Sequence, residues 1–524
     1  MVKTVPEELR NSVVIMAAVL ASYGSALLLE DAARLHVDIV IQSVALAWTL
    51  AWTQRDADLV DRALGFLVLP AVAMAAAWAD RLMSDHTVAG DALFAVAVAG
   101  SLWIRRFGPR ATRAGTLAAL PFVATLVVQG PIGLPAAARD GHVLWMGLVA
   151  LIAACCVLVV QVAAGYAGLG EPVRLRYPTV PTAPPRPSAP GGKGWARLLP
   201  STRMALQMGI ALGAAFLVGH LAYPDHWTWA VLTAFIVCSG ARGRGDVLYK
   251  GATRTFGAAF GTAAATGIVG LFGPRDPWAV VLLFAVLALA TWLRPLNYTY
   301  WAACITAAFS LLYGYFGEAD LDILGQRLEA IAVGAVIGVA ASWLIAPVRT
   351  VDVVRRRVAD ALAALADVLR TQAVQDSDSL DDSLDGELPR HQARFDVAVG
   401  LLDQIAPPLR THRALLGRVR AGEPSPHLAD AVDAVHACVE PVRTLTGQVR
   451  QRAGGADVEA VLANVAVVRR GIGRLPGPAY QPAAVQMGAV REIDAALGRI
   501  AEVFPPAANG QGAEIAGHRS EGEK

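Results

Sequence analysis

HVLWMGLVALIAACCVLVVQVAAGYAG, residues 142–168, contains no Asp, Glu, Lys or Arg. A helix needs about 20 mainly apolar residues to cross roughly 30 Å of hydrocarbon, and this stretch is long enough. Similar blocks recur along the 524-residue chain, of which 55% is hydrophobic and only 17% charged, with a mean hydropathy of +0.47. A soluble protein carries about a quarter charged residues. The sequence therefore predicts an all-α, polytopic membrane protein.

The apolar blocks predict twelve membrane spans, six in each half of the membrane region. The first block follows Lys3 and Arg10 and is interpreted as an uncleaved span, because no small-residue cleavage site closes it. The spans of the first half are expected near 12–29, 36–54, 62–80, 90–104, 115–133 and 142–168. Those of the second half are expected near 203–222, 226–240, 255–273, 277–293, 298–316 and 327–346.

The basic residues predict the orientation of these spans, since cytoplasmic loops carry an excess of Lys and Arg. With the N-terminus in the cytoplasm, most basic residues between the spans fall on the cytoplasmic side. The outer loops then carry only Arg34, Arg81, Arg139, Arg275 and Arg327. Shifting the span count by one would destroy this bias, which therefore supports the count and predicts cytoplasmic N- and C-termini.

Composition divides the chain into five segments. They are the first half at 1–168, a proline-rich cytoplasmic linker at 169–198, the second half at 199–347, a soluble segment at 348–505 and a polar tail at 506–524. The soluble segment shows helical spacing of apolar residues at Val351, Val354, Val358, Leu362, Leu365 and Leu369, with further helices near 390–419, 427–452, 456–472 and 484–503. This pattern predicts a cytoplasmic helical bundle, and the glycine-rich tail is expected to be disordered.

The two halves share landmarks at a nearly constant spacing. Arg62 and Arg254 each begin Arg-x-x-Gly at the start of a third span, and His36 and His226 each open a second span. Because six spans return the chain to the same side, the halves are predicted to be parallel repeats. Transport sites commonly lie between such repeats.

The stretch RTFGAAFGTA, residues 254–263, opens the ninth span. Arg254, Gly257 and Gly261 share one helical face, and the G-x-x-x-G spacing lets another backbone approach closely. An arginine at a helix N-terminus, where free N–H groups add positive potential, makes an anion site. Arg62 is expected to occupy the equivalent place in the first half. The alternative is that both arginines only anchor the cytoplasmic interface.

Histidines and aspartates open the second and eighth spans on the opposite side. His36 with Asp38, and Asp225 with His226, are candidates for proton coupling, since histidine titrates near neutral pH and burial favours a protonated carboxyl. The alternative is an ordinary interfacial belt of polar and aromatic residues.

Aromatic residues near the spans are candidates for substrate contact. Tyr298 and Tyr300 belong to NYTYW, residues 297–301, at the cytoplasmic end of the eleventh span, and Trp227 opens the eighth. Such rings stack on flat aromatic groups. Belt residues at headgroup depth are the alternative here too.

Motifs of the common enzymes are missing from the sequence. There is no G-x-x-x-x-G-K-[ST] loop for ATP and no G-x-S-x-G or H-E-x-x-H motif. The five cysteines form no C-x-x-C pair, and a net charge of +2 gives no basis for nucleic-acid binding. The sequence therefore predicts no enzyme, metal or cofactor, and a transporter that does not use ATP.

The second half resembles the fusaric acid resistance family. The residues that carry the resemblance are His226, Trp227, Arg254, Gly257 and Gly261, within 198–346. That group includes bacterial exporters of aromatic carboxylic acids, and the plant aluminium-activated malate channels are its distant relatives. The resemblance implies a homodimer that exports organic anions. Two features depart from it: a proline linker replaces the soluble domain between the halves of larger members, and Gly65 is followed by FLVLPA without the second glycine.

Together these observations predict a proton-coupled exporter of aromatic or hydrophobic carboxylates in the inner membrane. In this hypothesis Arg254 and Arg62 attract the anion from the cytoplasm, the anion passes between the halves, and the outer His and Asp residues exchange protons. One alternative is a passive anion channel of the malate-channel type. The other is a membrane regulatory or structural protein that acts through its cytoplasmic bundle.

Overall fold

The computed structural model describes residues 5–55, 58–128, 142–169, 198–269, 271–317, 321–377, 387–419, 426–447, 455–486 and 488–507. Nearly all of the predicted linker at 169–198 and of the predicted tail at 506–524 lies outside these ranges. The described residues are helical, apart from turns, short extended segments and one isolated bridge. Contacts divide them into two compact units, the first ending at Pro347 and the second beginning at Val348.

The first unit contains twelve α-helices among its described residues and a short 3₁₀ helix at Ile104–Phe107. In chain order they are α1 Val5–Ala33, α2 Asp38–Thr53, α3 Leu59–Asp85, α4 Thr87–Trp103, α5 Pro109–Val128, α6 His142–Tyr166, α7 Pro200–Ala222, α8 Trp227–Cys238, α9 Arg244–Val269, α10 Pro277–Leu293, α11 Tyr298–Tyr315 and α12 Leu321–Leu344.

Six of the described helices are long and apolar enough to cross a membrane: α1, α3, α4, α6, α7 and α12. Helices α2, α8 and α10 are apolar but shorter. The prediction of an all-α, multi-pass membrane protein is therefore confirmed. The arrangement of the helices as two parallel repeats stays a prediction.

Helix α9 begins much earlier than its predicted span, which was expected to start at residue 255. It starts at Arg244, inside the basic loop, because Asp246 stabilises its first turn. The Asp246 carboxylate accepts the Arg242 backbone N–H at 3.0 Å and lies 3.4 Å from Lys250 Nζ, one turn further on. Hydropathy assigned this polar turn to a loop, whereas local hydrogen bonding makes it helical.

The second unit contains seven helices in its described residues: α13 Thr350–Ser377, α14 Glu387–Asp403, α15 Ala406–Val419, α16 Leu428–Ala437, α17 Val439–Gly447, α18 Gly455–Ile472 and α19 Gly488–Val503. The predicted apolar face of α13 is buried except for Val351, which is 38% exposed. The predicted helices at 390–419 and 427–452 are each two helices. Pro407 and Pro441 stand in the first turns of α15 and α17, where the missing N–H is tolerated.

Candidate functional site

Arg254 lies in the interior of α9, and its side chain is completely buried at 0% exposure. It follows the start of the helix by ten residues, which places it roughly 15 Å along the axis at about 1.5 Å per residue. The prediction that Arg254 stands at a helix N-terminus is therefore wrong. Neither free N–H groups nor the helix dipole add to its charge there, since both act only within the first turn.

The guanidinium of Arg254 has no hydrogen-bond partner among the described residues, at Nε, Nη1 or Nη2. The hydroxyl of Tyr298 is also buried without a partner in the described ranges, and the side chains of Arg254 and Tyr298 lie within electrostatic range of each other. Burying a cation costs several kcal/mol unless an opposite charge or hydrogen bonds offset the cost. Arg254 and Tyr298 thus present buried donors that an anion would satisfy.

Gly257 and Gly261 face α11, as their spacing predicted for a close helix contact. A Cβ atom at position 257 would lie 2.7 Å from the Cβ of Ala302, and one at 261 would lie 2.2 Å from the carbonyl oxygen of Ala303. The two glycines therefore let α11 pack directly on α9 beside Arg254. On the face of α9 that carries these glycines, the backbones of α9 and α11 are in direct contact.

Arg62 is buried in the first turn of α3, but its surroundings differ from those of Arg254. Its Nη1 donates to the side-chain oxygen of Gln161, and its Nη2 donates to the carbonyl oxygen of Gln54 at 2.9 Å. Gln161 in turn donates to the carbonyl of Ala51 at 3.1 Å. The two arginines that the repeat pattern matched are therefore unlike: Arg62 is hydrogen-bonded by the protein, whereas Arg254 has no such bond within the part of the chain that is described.

The structure brings His36 and Asp38 together and adds a third residue, His142. The Asp38 side chain is 3% exposed, with His36 Nδ1 at 3.2 Å from Oδ1 and His142 Nε2 at 3.0 Å from Oδ2. Sequence reasoning missed His142, although a histidine opening a span was the signal used for His36 and His226. A carboxyl between two imidazoles can pass a proton between them.

Asp225 and His226 form no ion pair with each other in the described structure. Asp225 is exposed and His226 is half-buried. The pair found nearby joins α4 to α7 instead, with His220 Nε2 at 3.0 Å from Asp91 Oδ2. Trp227 packs against this pair, its ring centroid 4.7 Å from that of His220.

The aromatic residues at the start of α11 lie against α2 of the first half. Trp301 stacks on Trp48 with ring centroids 6.2 Å apart, and Tyr298 tilts against Trp301 at 5.1 Å. Tyr300 faces away and is 53% exposed. Of the two predicted tyrosines, Tyr298 thus lies near Arg254 and Tyr300 does not share its environment.

Arg327 is a third buried arginine, and sequence reasoning assigned it to an outer loop. It lies inside α12 with 2% exposure, and it donates from Nη1 to Ser310 Oγ at 3.1 Å and from Nη2 to the Thr306 carbonyl at 3.0 Å. Its guanidinium carbon stands 4.0 Å from the ring centre of Trp229, a cation–π contact. The assignment to a loop was wrong because charge alone placed Arg327 at the end of an apolar block.

Comparison with known protein families gives one match. Residues 210–341 match the family model described as fusaric acid resistance protein-like, which spans α8, α9, α10 and α11 and parts of α7 and α12. No curated protein matches the chain. The predicted resemblance is thus confirmed for this segment, and it indicates a membrane transport protein. The similarity to plant malate channels stays a prediction.

Proposed function

We propose that the protein is a secondary transporter of the inner membrane that exports organic anions, chiefly aromatic or hydrophobic carboxylates, in exchange for protons. The observation that carries the proposal is the Arg254 guanidinium, which is fully buried and has no hydrogen-bond partner among the described residues. A carboxylate matches the planar fork of a guanidinium and accepts two parallel hydrogen bonds from it.

The surroundings of Arg254 favour an anion with an apolar body. The hydroxyl of Tyr298 offers one more donor, and Trp301 behind it offers a ring face and a buried indole N–H without a partner in the described chain. A carboxylate can therefore be held at its charged end while an aromatic ring packs against these side chains. The buried cation gains an opposite charge only while the anion is bound.

The group of Asp38, His36 and His142 supports proton coupling. Its carboxyl is buried and contacts an imidazole at each oxygen, so that proton exchange changes the charge of the group. Under the predicted orientation this group lies at the outer end of the membrane unit, where protons enter. We propose that export of the anion is linked to protonation there.

Uptake of labelled benzoate and acetate into inverted membrane vesicles tests this function. Wild-type protein should take up benzoate in a protonophore-sensitive manner, and Arg254→Ala should lower the rate at least about tenfold, the loss expected when charge-assisted hydrogen bonds are removed. Arg110→Ala is the matched control, since Arg110 is exposed at the start of α5 and the same charge is removed.

The same assay separates the alternatives. Uptake that survives the protonophore would identify a passive anion channel. Wild-type vesicles that take up neither acid would overturn transport of carboxylates and favour a regulatory role for the second unit. Equal uptake by wild type and Arg254→Ala would remove Arg254 from the site.

A further inference from the structure

Arg327 resembles Arg254 in being buried without a carboxylate partner among the described residues. Its described contacts are two neutral oxygens on α11 and the rings of Trp229 and Phe309, and its Nε has no hydrogen-bond partner in this part of the chain. The nearest acidic residue along α12, Glu329, is exposed. No acidic side chain of the described structure therefore pairs with Arg327, although two of its nitrogens are hydrogen-bonded.

Contacts with α11 give the relative depth of the two arginines. Gly257 meets α11 at Thr299 and Ala302, and Gly261 meets it at Ala303, so α9 and α11 run in the same direction. Arg254, one turn before Gly257, therefore lies at the level of the first turn of α11. Arg327 binds Thr306 and Ser310, two to three turns later, which is roughly 12–18 Å further along the axis.

Two buried hydroxyls lie between these levels. Thr262 follows Gly261 on α9, and Thr233 stands one turn after Trp229 on the same face of α8. Neither Oγ1 has a hydrogen-bond partner within the described residues. The two guanidinium groups lie within electrostatic range of each other, where their like charges repel.

Some buried polar groups of the first half are paired, whereas Gln42 Nε2 and Trp52 Nε1 of α2 have no hydrogen-bond partner among the described residues. Arg62 is bonded to Gln161 and Gln54, and the buried hydroxyls of Ser22 and Ser43 lie 2.7 Å apart. Among the described residues of the second half, the buried donors without acceptors named above lie on α8, α9, α11 and α12. Donors and positive charges that lack acceptors are complementary to an anion.

We propose that Arg327, with Ser310 and Trp229, is a second anion-binding station beyond Arg254. The anion then travels inside the bundle of α8, α9, α11 and α12, past Thr262 and Thr233, rather than between the two halves. This inference rests on the proposed function, since it extends the path that begins at Arg254. Trp229 stabilises the guanidinium from one face while the free Nε edge receives a carboxylate oxygen.

Exchange of labelled benzoate by the purified full-length protein in liposomes of neutral lipids tests the station. Arg327→Gln should lower the maximal rate at least about tenfold, and Arg327→Lys should recover part of it because it keeps the charge. Arg275→Gln, at an exposed arginine before α10, is the matched control and should stay near the wild-type rate. Equal losses in Arg327→Gln and Arg327→Lys would show a role that does not depend on charge and overturn the proposal.

Thr233→Val is the second variant, and it covers the case in which Arg327→Gln does not fold. The substitution is nearly isosteric and removes a hydroxyl that has no partner in the described structure. It should leave thermal stability unchanged or higher while the exchange rate falls. An unchanged rate in Thr233→Val would overturn the path through the bundle.

The outcomes separate this inference from the proposed function. Exchange in wild type that is lost in Arg254→Gln but kept in Arg327→Gln and Thr233→Val would overturn the second station alone. Absence of exchange in the wild type would overturn both proposals. Loss in both arginine variants, with partial recovery in Arg327→Lys, would support both.

Discussion

The carbonyl oxygen of Ala303 occupies the space that a side chain at position 261 would need. A Cβ added to Gly261 would come within 2.2 Å of that oxygen, and backbone atoms cannot move aside as a flexible side chain can. Gly267, two turns later on the same helix, has no atom within 4 Å of its added Cβ. One helix thus holds a glycine required by packing and a glycine that is not.

We expect Gly261→Ala to separate α9 from α11 and to destabilise the protein by about 1–3 kcal/mol, the usual cost of overpacking. Gly267→Ala is the matched control and should be neutral or slightly stabilising, because alanine favours a helix over glycine. The thermal midpoint of detergent-solubilised protein measures both. Equal thermal midpoints for the two variants would show that α9 and α11 can move apart to accommodate the added methyl group with little loss of stability.

At the level of single residues, the sequence predicted which side chains share a face but not their partners. The spacing of Arg254, Gly257 and Gly261 correctly indicated a helix contact. It did not indicate that α9 starts ten residues earlier, because that start depends on hydrogen bonds of Asp246 within a polar loop. Nor did it indicate that Arg327 is buried, because burial there depends on Trp229 and α11, which are distant in sequence.

Helices α15 and α16 of the second unit are held together largely by polar contacts. Arg413 reaches Asp430 at 2.5 Å and Asp433 at 2.8 Å, and His412 Nδ1 lies 2.9 Å from His427 Nε2. His427 also caps α16, since its Nδ1 accepts the Ala429 N–H at 3.1 Å. Accepting at Nδ1 requires a neutral ring with its proton on Nε2, which then donates to His412.

Acidification should therefore loosen the contact between α15 and α16. Burial lowers the pKa of His427, the charges of His412 and Arg413 lower it further, and Asp430 opposes them. The unfolded state then binds more protons than the folded state just below the unfolded histidine pKa of about 6.5. The contribution of His427 to stability is complete above that pH and is lost as the pH falls toward the lowered value.

Hydrogen–deuterium exchange at pH 7.5 and 5.5, corrected for intrinsic rates, measures this effect. Protection of α15 and the first turn of α16 should fall at the lower pH in the wild type. His427→Asn keeps a capping side chain but removes the titration, so its protection should depend less on pH. Another histidine of this region, His436, contacts Asp403 and is unchanged in the variant, so it cannot account for a difference between the two proteins. The same pH response in both would assign the effect to another group.

Two sets of buried charged side chains in the membrane unit bear on the proposed transport. The acidic cluster places Asp38 between His36 and His142, near the ends of α2 and α6. The cationic one contains Arg254 and Arg327 within α9 and α12. Composition was enough to predict a helical membrane protein, because apolar blocks have few other stable structures in lipid. The matched landmarks Arg62 and Arg254 did not predict the different surroundings of the two arginines, because partners such as Gln161 lie elsewhere in the chain.

Coupling between the two clusters gives the last prediction, which concerns Asp38→Asn. An amide cannot take up a proton, so this variant should lose proton-driven accumulation of benzoate while it retains downhill exchange through the arginine path. Asp31→Asn, an exposed neighbour at the end of α1, is the matched control and should behave as the wild type. Benzoate flux and proton flux, followed together with a pH-sensitive dye in inverted vesicles, separate the two processes. Undiminished proton-driven accumulation in Asp38→Asn would exclude this carboxyl as the coupling group and direct attention to the pair of Asp91 and His220, which joins α4 to α7.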